Sequence, residues 1–559
     1  MQFCNTNLRG EFMKLRDLFL YKEVNYGEDF YLKESEKTLI NNKKNEYIKS
    51  KIKDKDCAPY REGKVDKDIE KNLSFIKDTF TFGVNLDFML REFTINFTDG
   101  KVKGFLVFYD GMSNADRINR DILRPLLSYG TDKSKAVCTE DNIYNNAITQ
   151  APQTRFYDIR QVIELIEFGN CAVFIDGCEC AFVADVKNLS GRDVGTPITE
   201  AVLSGPQEAF CEKIMTNLGL IRKILKDSNV VAEKMTIGRR SKTPCALMYI
   251  KGITNKSLVA EVRRRLKNIK LDYVFSSSDI EMMIEESTFF PLPQVLKTER
   301  PDRAAAMLSM GKAVIVVQGS PFALVVPVNL GDLIEASEDN YVRVEEANYM
   351  RLVRIFGILL AIFTPCGFLA LCLYHHESIP SDLLFAIEAT REVVPFPLAL
   401  EMIFMVLAFE LIKEASIRIP DPIGSTLGIV GGLILDQAAV SANLVSPMLI
   451  IVVSIAGLGA FSVPSLSMSR AISLLQIIFI FLSAFAGFLG IALGIFIGII
   501  ALSGRTSVGV PYLAPLAPKE SSVLRSLFIN PIWKKEKRPP ELKTQNPDMQ
   551  PKISRKWVE

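Results

Sequence analysis

A chain of 559 residues is long enough for several domains. Its 66 Lys and Arg nearly cancel 64 Asp and Glu, and no basic stripe appears, which speaks against a nucleic-acid binder. Ten cysteines with no CxxC pair, and two histidines placed side by side at His375 and His376, lack the spacing of a zinc site. Buried thiols in a reducing compartment, with no metal or cofactor, are the expectation.

Residues 1–75 are rich in Lys, Asn and Glu (INNKKNEYIKSKIKDKD) and read as a polar, partly disordered extension. The N-terminus lacks the charged-then-apolar pattern of a signal peptide, so the part that follows is expected to stay in the cytoplasm.

Residues 76–195 read as a first α/β subdomain. FLVFYDG (105–111) is a strand closed by Asp-Gly, SNADRINRDILRPLL a helix, 159–169 a second helix, and CAVFIDGCECAFVAD (171–185) two strands around a tight turn. Residues 196–340 repeat that order: strand 245–252, helix 257–269, helix 301–311, hairpin 312–327. Gly111 precedes Gly177 by 66 residues and Gly252 precedes Gly319 by 67, which argues for two related subdomains in tandem. Between them, Phe210, Ile214, Leu218, Ile221 and Leu225 recur at helical spacing, so 201–225 reads as a bridging helix with Pro206 in its first turn. ERPDR (299–303) reads as a helix start.

Residues 341–510 read as an α-helical polytopic membrane domain of four to six segments. Apolar runs lie at 352–374, 395–412, 423–435, 445–463 and 471–502. Arg351, Arg354, Lys413, Arg418, Arg470 and the basic tail, 511–559, mark the cytoplasmic side. Four crossings return the chain inside. The fifth run would be ~48 Å long as one helix, and a single crossing would put the tail outside. A two-pass hairpin there, or a re-entrant segment such as 423–435, keeps the tail inside.

Three carboxylates lie in these runs or directly after one: Glu401, Glu410 and Asp436. A charge at mid-bilayer costs ~2.5–3.5 kcal/mol on insertion scales, so each faces protein or a water-filled path. Two readings stand: a cation route, or a structural network in which Glu401 and Glu410 pair with Lys413, Arg418 or backbone donors. Glu401 and Glu410 fall on opposite faces of one helix. Gly490, Gly494 and Gly498 share a face at GxxxG spacing, where backbones can approach closely. GxxxxGK[ST], GxSxG, HExxH and GxGxxG are absent, so no enzyme activity is expected.

Several long stretches carry a family resemblance: SGPQEAFCEKIMTNLGLIR (204–222), GRRSKT (238–243), TERPDR (298–303), QGSPFALVVP (318–327), VPFPLALE (394–401), FELIKEASIRIPDPIG (409–424), AAVSANLVSP (438–447) and VGVPYLAPLAP (508–518). In this order they resemble the A subunit of the GerA-type nutrient germinant receptors of spore-forming bacteria. SpoVAF-type paralogues share most of the motifs. The chain departs at Ser204, where the family usually has Arg, and at Asp436 and Asn443, where it usually has Gly. The resemblance implies a spore inner-membrane protein with cytoplasmic head and tail. It implies assembly with a nutrient-binding, transporter-like B subunit and a lipoprotein C subunit. It further implies a homo-oligomeric ring, a pentamer, forming a nutrient-gated cation channel. On that reading the pore lining is expected from Gln437, Val440, Ser441 and Leu444, one helical face by their spacing. A non-conducting scaffold is the alternative.

Overall fold

The computed structural model describes residues 63–97, 100–129, 140–144, 148, 153–187, 195–418, 437–518, 528, 531 and 535–550. The folded part begins inside the stretch expected to be an extension. Helix α1 (Ile69–Thr79) is capped by the Asp68 carboxylate, which accepts from the Glu70 N–H (3.0 Å). Ile69, Leu73 and Ile76 recur at helical spacing and are buried.

The five strands that follow are β1 (Phe88–Phe97), β2 (Gly100–Tyr109), β3 (Gln153–Phe156), β4 (Cys171–Ile175) and β5 (Ala181–Ala184). They pair in the order β1-β2-β4-β5-β3, every pairing antiparallel. The helical stretch 115–129 (α2) covers one face of this sheet; α1 and α3 (Ile159–Glu167) cover the other. Strand β4 is central and buried along its whole length, which is why its sequence is a continuous apolar run rather than an alternation.

The second subdomain repeats the plan. Helix α4 (Ile214–Ile224) leads into β6 (Val230–Ile237), β7 (Thr243–Ile250), α5 (Lys256–Lys267), α6 (Ser277–Ile284), β8 (Leu296–Thr298), α7 (Pro301–Ser309), β9 (Ala313–Val317) and β10 (Ala323–Val326). The order is again β6-β7-β9-β10-β8, again antiparallel throughout. Equivalent elements open at Ile159 and Pro301, Cys171 and Ala313, and Ala181 and Ala323, each pair 142 residues apart. Both hairpins turn on a glycine with positive φ, 83° at Gly177 and 82° at Gly319, a conformation that favours glycine.

The bridging helix is shorter than its sequence pattern suggests: it starts at Ile214, and 201–213 is loop. Long-range hydrogen bonds hold the loop. Glu299 accepts from the Glu200 N–H (2.8 Å), and Arg300 donates to the carbonyls of Glu200 (3.3 Å) and Pro206 (3.0 Å). The Asn217 amide bonds both the N–H and the C=O of Cys211. A backbone committed to these partners cannot also close a helical ladder.

The subdomains meet at a buried ion pair. Arg222 donates to both carboxylate oxygens of Asp87 (2.5 and 2.9 Å) and to the Val230 carbonyl (2.9 Å). Its guanidinium lies 4.3 Å from the centre of the Tyr109 ring. Asn85 accepts from the Ala232 N–H (2.7 Å), so the segment before β1 is stitched to β6.

The helical half comprises α9 (Val344–Tyr374), α10 (Ser381–Arg391), α11 (Leu398–Arg418), α12 (Pro447–Phe461) and α13 (Leu466–Ser503), with the short α8 (Leu330–Ile334) before them. Helices α9 and α13 are long and apolar enough to cross a membrane. Helix α13 folds back on itself at Gly487 (φ 57°, ψ −136°). Residues 479 and 494 would be ~22 Å apart along a straight helix; instead a Cβ on Gly494 would lie 2.8 Å from the Phe479 ring. Tyr374, at the end of α9, sits at the bend and donates its hydroxyl to the Ala484 carbonyl (2.7 Å). Helix α12 runs the opposite way and ends with Gly459 close against Gly357 and Ala361 of α9.

Past α13 the chain returns to the second subdomain. Ser507 donates to the Gln294 carbonyl (2.8 Å) and accepts from the Val328 N–H (3.1 Å). Tyr512 donates to the Pro293 carbonyl (2.9 Å), while its own carbonyl accepts from the Leu330 N–H (2.9 Å). Part of the basic tail docks as well: Arg538 donates to the Ser309 carbonyl (2.8 Å), and Leu542 is buried. Both ends of the helical half therefore lie on the head side.

Candidate functional site: a buried carboxylate in the helical half

Helix α11 is built from strong helix formers (LALEMIFMVLAFELIKEASIR), which fixes the separation of its two carboxylates. Their surroundings differ. Glu410 is paired: its Oε1 lies 2.8 Å from the Lys413 ammonium and accepts from the Ser473 hydroxyl (2.8 Å). Lys413 also donates to the Ser473 hydroxyl (3.1 Å), and Gln476 lines the same small space. This is the structural network, and it ties α11 to the first limb of α13.

Glu401, 1 % exposed, is not neutralised in this way. One oxygen accepts the Ser446 backbone N–H (2.5 Å) at the N-terminus of α12. Free amide protons and the helix dipole both favour an anion there. Among the described residues, the other oxygen, Oε2, and the Ser446 hydroxyl are buried without a hydrogen-bond partner. Above Glu401 lies a cavity of about 220 Å³, open to the outside of the helical half, with Phe396, Leu400, Phe404 and Leu444, each about half exposed, as its other described walls.

The segment leading to Ser446 shows why α12 starts where it does. A short helix covers 437–441 and then stops. Leu444 donates to the Ala439 carbonyl (2.9 Å) and Asn443 to the Val440 carbonyl (2.9 Å), with Asn443 at φ 53°. That is a Schellman closure with Asn443 at the left-handed position, a conformation Asn adopts more readily than any residue but Gly. Pro447 then opens α12 in its first turn.

The four residues expected on one helical face are thus divided. Gln437 and Ser441 are exposed and Val440 half-buried on the short helix. Leu444 lies beyond the break and turns toward Glu401 in the cavity wall. Asp436 and the run at 423–435 lie outside the described residues. Of the glycines, a Cβ on Gly490 would collide with the Leu482 carbonyl oxygen, and Gly494 meets Phe479 and Leu482. Both face the other limb of α13, whereas Gly498 has open space around it.

The model of the Bacillus/Clostridium GerA spore germination protein family matches residues 75–541, from within α1 through the helical half and into the docked tail. The chain belongs to the GerA family. It is 34 % identical over 458 residues to spore germination protein KA of Bacillus subtilis (strain 168), covering 82 % of this chain and 84 % of that protein. It is 40 % identical over 356 residues to spore germination protein A1 of the same organism, covering 64 % of this chain and 74 % of the relative. Among solved structures, the N-terminal domain of the A subunit of the Bacillus megaterium spore germinant receptor GerK3 is 27 % identical, covers 47 % of this chain and 96 % of that one, and has a TM-score of 0.34.

In this GerA-family chain the sequence signals for Glu401 and Ser446 were unequal. A carboxylate in an apolar run is conspicuous, but Ser446 was one small polar residue among several. Its pairing with a residue 45 positions away is visible only in three dimensions. Ser473 was missed as a partner of Glu410 for the same reason.

Proposed function

We propose that this chain is the membrane subunit of a nutrient germinant receptor and conducts cations when nutrient binds a partner subunit. The observation that carries the reading is Glu401. An apolar helical layer retains a buried carboxylate with one oxygen unpartnered, beside a cavity and a break between two helices. Such a group is expensive unless a cation or water visits it. The break at 442–446 makes a movable joint, because a Schellman closure and a proline start can re-form around few backbone torsions.

On this reading the helical half crosses the spore inner membrane several times, with head and tail in the cytoplasm. A transporter-like B subunit supplies the nutrient site and a lipoprotein C subunit joins the assembly. Several copies of this chain surround the pore, with Gln437, Val440, Ser441 and Leu444 on its wall. Nutrient opens the ring by binding the open state more tightly than the closed one. The role is not enzymatic. The scaffold alternative is favoured by the extensive docking of the 505–512 segment and the tail on the head.

Reconstitution separates the two. The full chain in liposomes, alone and with its partner subunits, is expected to pass monovalent cations. Leu444→Ala is expected to leak more than wild type, and spores carrying it to germinate without nutrient. Absence of flux from every assembly, together with unchanged dormancy in the variant spores, would overturn the channel in favour of the scaffold.

A further inference from the structure

The cavity beside Glu401 has a composition that selects among cations. Inorganic cations shed water only where several oxygens replace it. Among the described residues the cavity's lining is Phe396, Leu400, Phe404 and Leu444, each about half exposed, over the buried Glu401, whose Oε2 has no partner and which receives the Ser446 N–H. Two phenyl rings, two leucines and one carboxylate suit a cation that carries its own apolar surface. Aromatic faces attract alkylammonium groups, more strongly when desolvated. At about 220 Å³ the cavity has room for about seven waters at ~30 Å³ each, or for a small branched ammonium.

We propose that this cavity is a binding site for organic ammonium ions, with the Glu401 carboxylate as counter-ion and Phe396 and Phe404 as walls. The proposal rests on the reading of this half as membrane-embedded, and it holds whether or not the chain conducts. Binding places a cation over a carboxylate whose partner among the described residues is the Ser446 N–H. It also wedges the ligand between α11 and the Asn443 break, since Leu444 is a wall of the cavity. An occupied site therefore holds the break in one arrangement, and on the channel reading an ammonium ion blocks the flux.

The test uses the full chain in phosphatidylcholine nanodiscs titrated with tetramethylammonium, tetraethylammonium or potassium chloride at constant ionic strength, followed by calorimetry and thermal melting. Tetraethylammonium is expected to bind and to raise the melting temperature, and potassium to do neither. Glu401→Gln keeps an acceptor for the Ser446 N–H and removes the charge; it is expected to weaken tetraethylammonium by about tenfold or more. Leu400→Phe fills the cavity and keeps the carboxylate; it is expected to weaken tetraethylammonium more than tetramethylammonium. Glu410→Gln, outside the cavity, leaves the affinity unchanged. Equal responses to potassium and tetraethylammonium, or an affinity untouched by both Glu401→Gln and Leu400→Phe, would overturn the site. Ammonium binding without flux from liposomes would overturn the channel and leave the site standing.

Discussion

At the scale of single residues, Glu167 marks where the head is sensitive to pH. It ends α3, is buried, and its Oε1 has no hydrogen-bond partner. Burial pushes its carboxyl up to about 7, with Asp227 and Glu164 adding to the rise and hydrogen bonding from Ser228 offsetting part of it. Tyr109, pushed up by burial, and the Arg222–Asp87 pair lie in the same region, where the subdomains join. The sign follows from proton uptake. In the folded head Glu167 holds its proton to about pH 7, whereas in the unfolded chain it loses it near 4.5. The stability it allows is full below the unfolded value and is lost as pH rises toward the folded one. We predict that melting temperature falls between about pH 4.5 and about 7 and that Glu167→Gln flattens this slope. Melts of the full chain in detergent across that range check it; parallel slopes for the two proteins would refute it. None of this was legible in IRQVIELIEFG, where Glu167 looks like any polar residue on an amphipathic helix. Asn443 was partly legible, since the family resemblance led to a Gly being expected there, and φ is 53°, a left-handed backbone that Gly and Asn tolerate best.

Elements were read best where one periodicity dominated. Both hairpins and helices α3, α5 and α7 appear at their expected places, because a buried central strand or a one-sided helix writes its own pattern. Helix α4 was over-extended because its upstream loop is fixed by Glu299 and Arg300, 99 residues after Glu200 and 94 after Pro206. The last apolar run was ambiguous because its hydropathy is uniform and one residue, Gly487, carries the reversal. The glycine spacing predicted close packing but could not name the partner, which is the helix's own first limb. We predict that Gly490→Leu destabilises this fold-back by ~1–3 kcal/mol through overpacking, since even a Cβ meets the Leu482 carbonyl. Gly498→Leu, with open space around it, should stay within about 0.5 kcal/mol. Thermal melts of both variants in one detergent decide it, and equal losses would show that the two limbs do not pack as described.

For the whole molecule, the fold-back at Gly487 and the docking of 505–512 depend on each other. The chain leaves the head through α9, whose Arg354 is tied to Asp339 (2.6 Å), and comes back through the segment held by Ser507 and Tyr512. A straight α13 would carry Tyr512 to the far end of the bundle, away from Pro293 and Leu330, and would strand Leu542 and Arg538. On the proposed membrane reading, this return to the head calls for an even number of crossings. It predicts a specific sidedness for the membrane-embedded protein. An epitope inserted after Glu377, in the turn following α9, should be reached by antibody on the side opposite the head. One appended after Gln550 should be reached only on the head's side, in sealed vesicles of known orientation. If both epitopes were reached from the same side, the reversal at Gly487 would be wrong, and the contacts of Tyr512 with the second subdomain would have to be wrong with it.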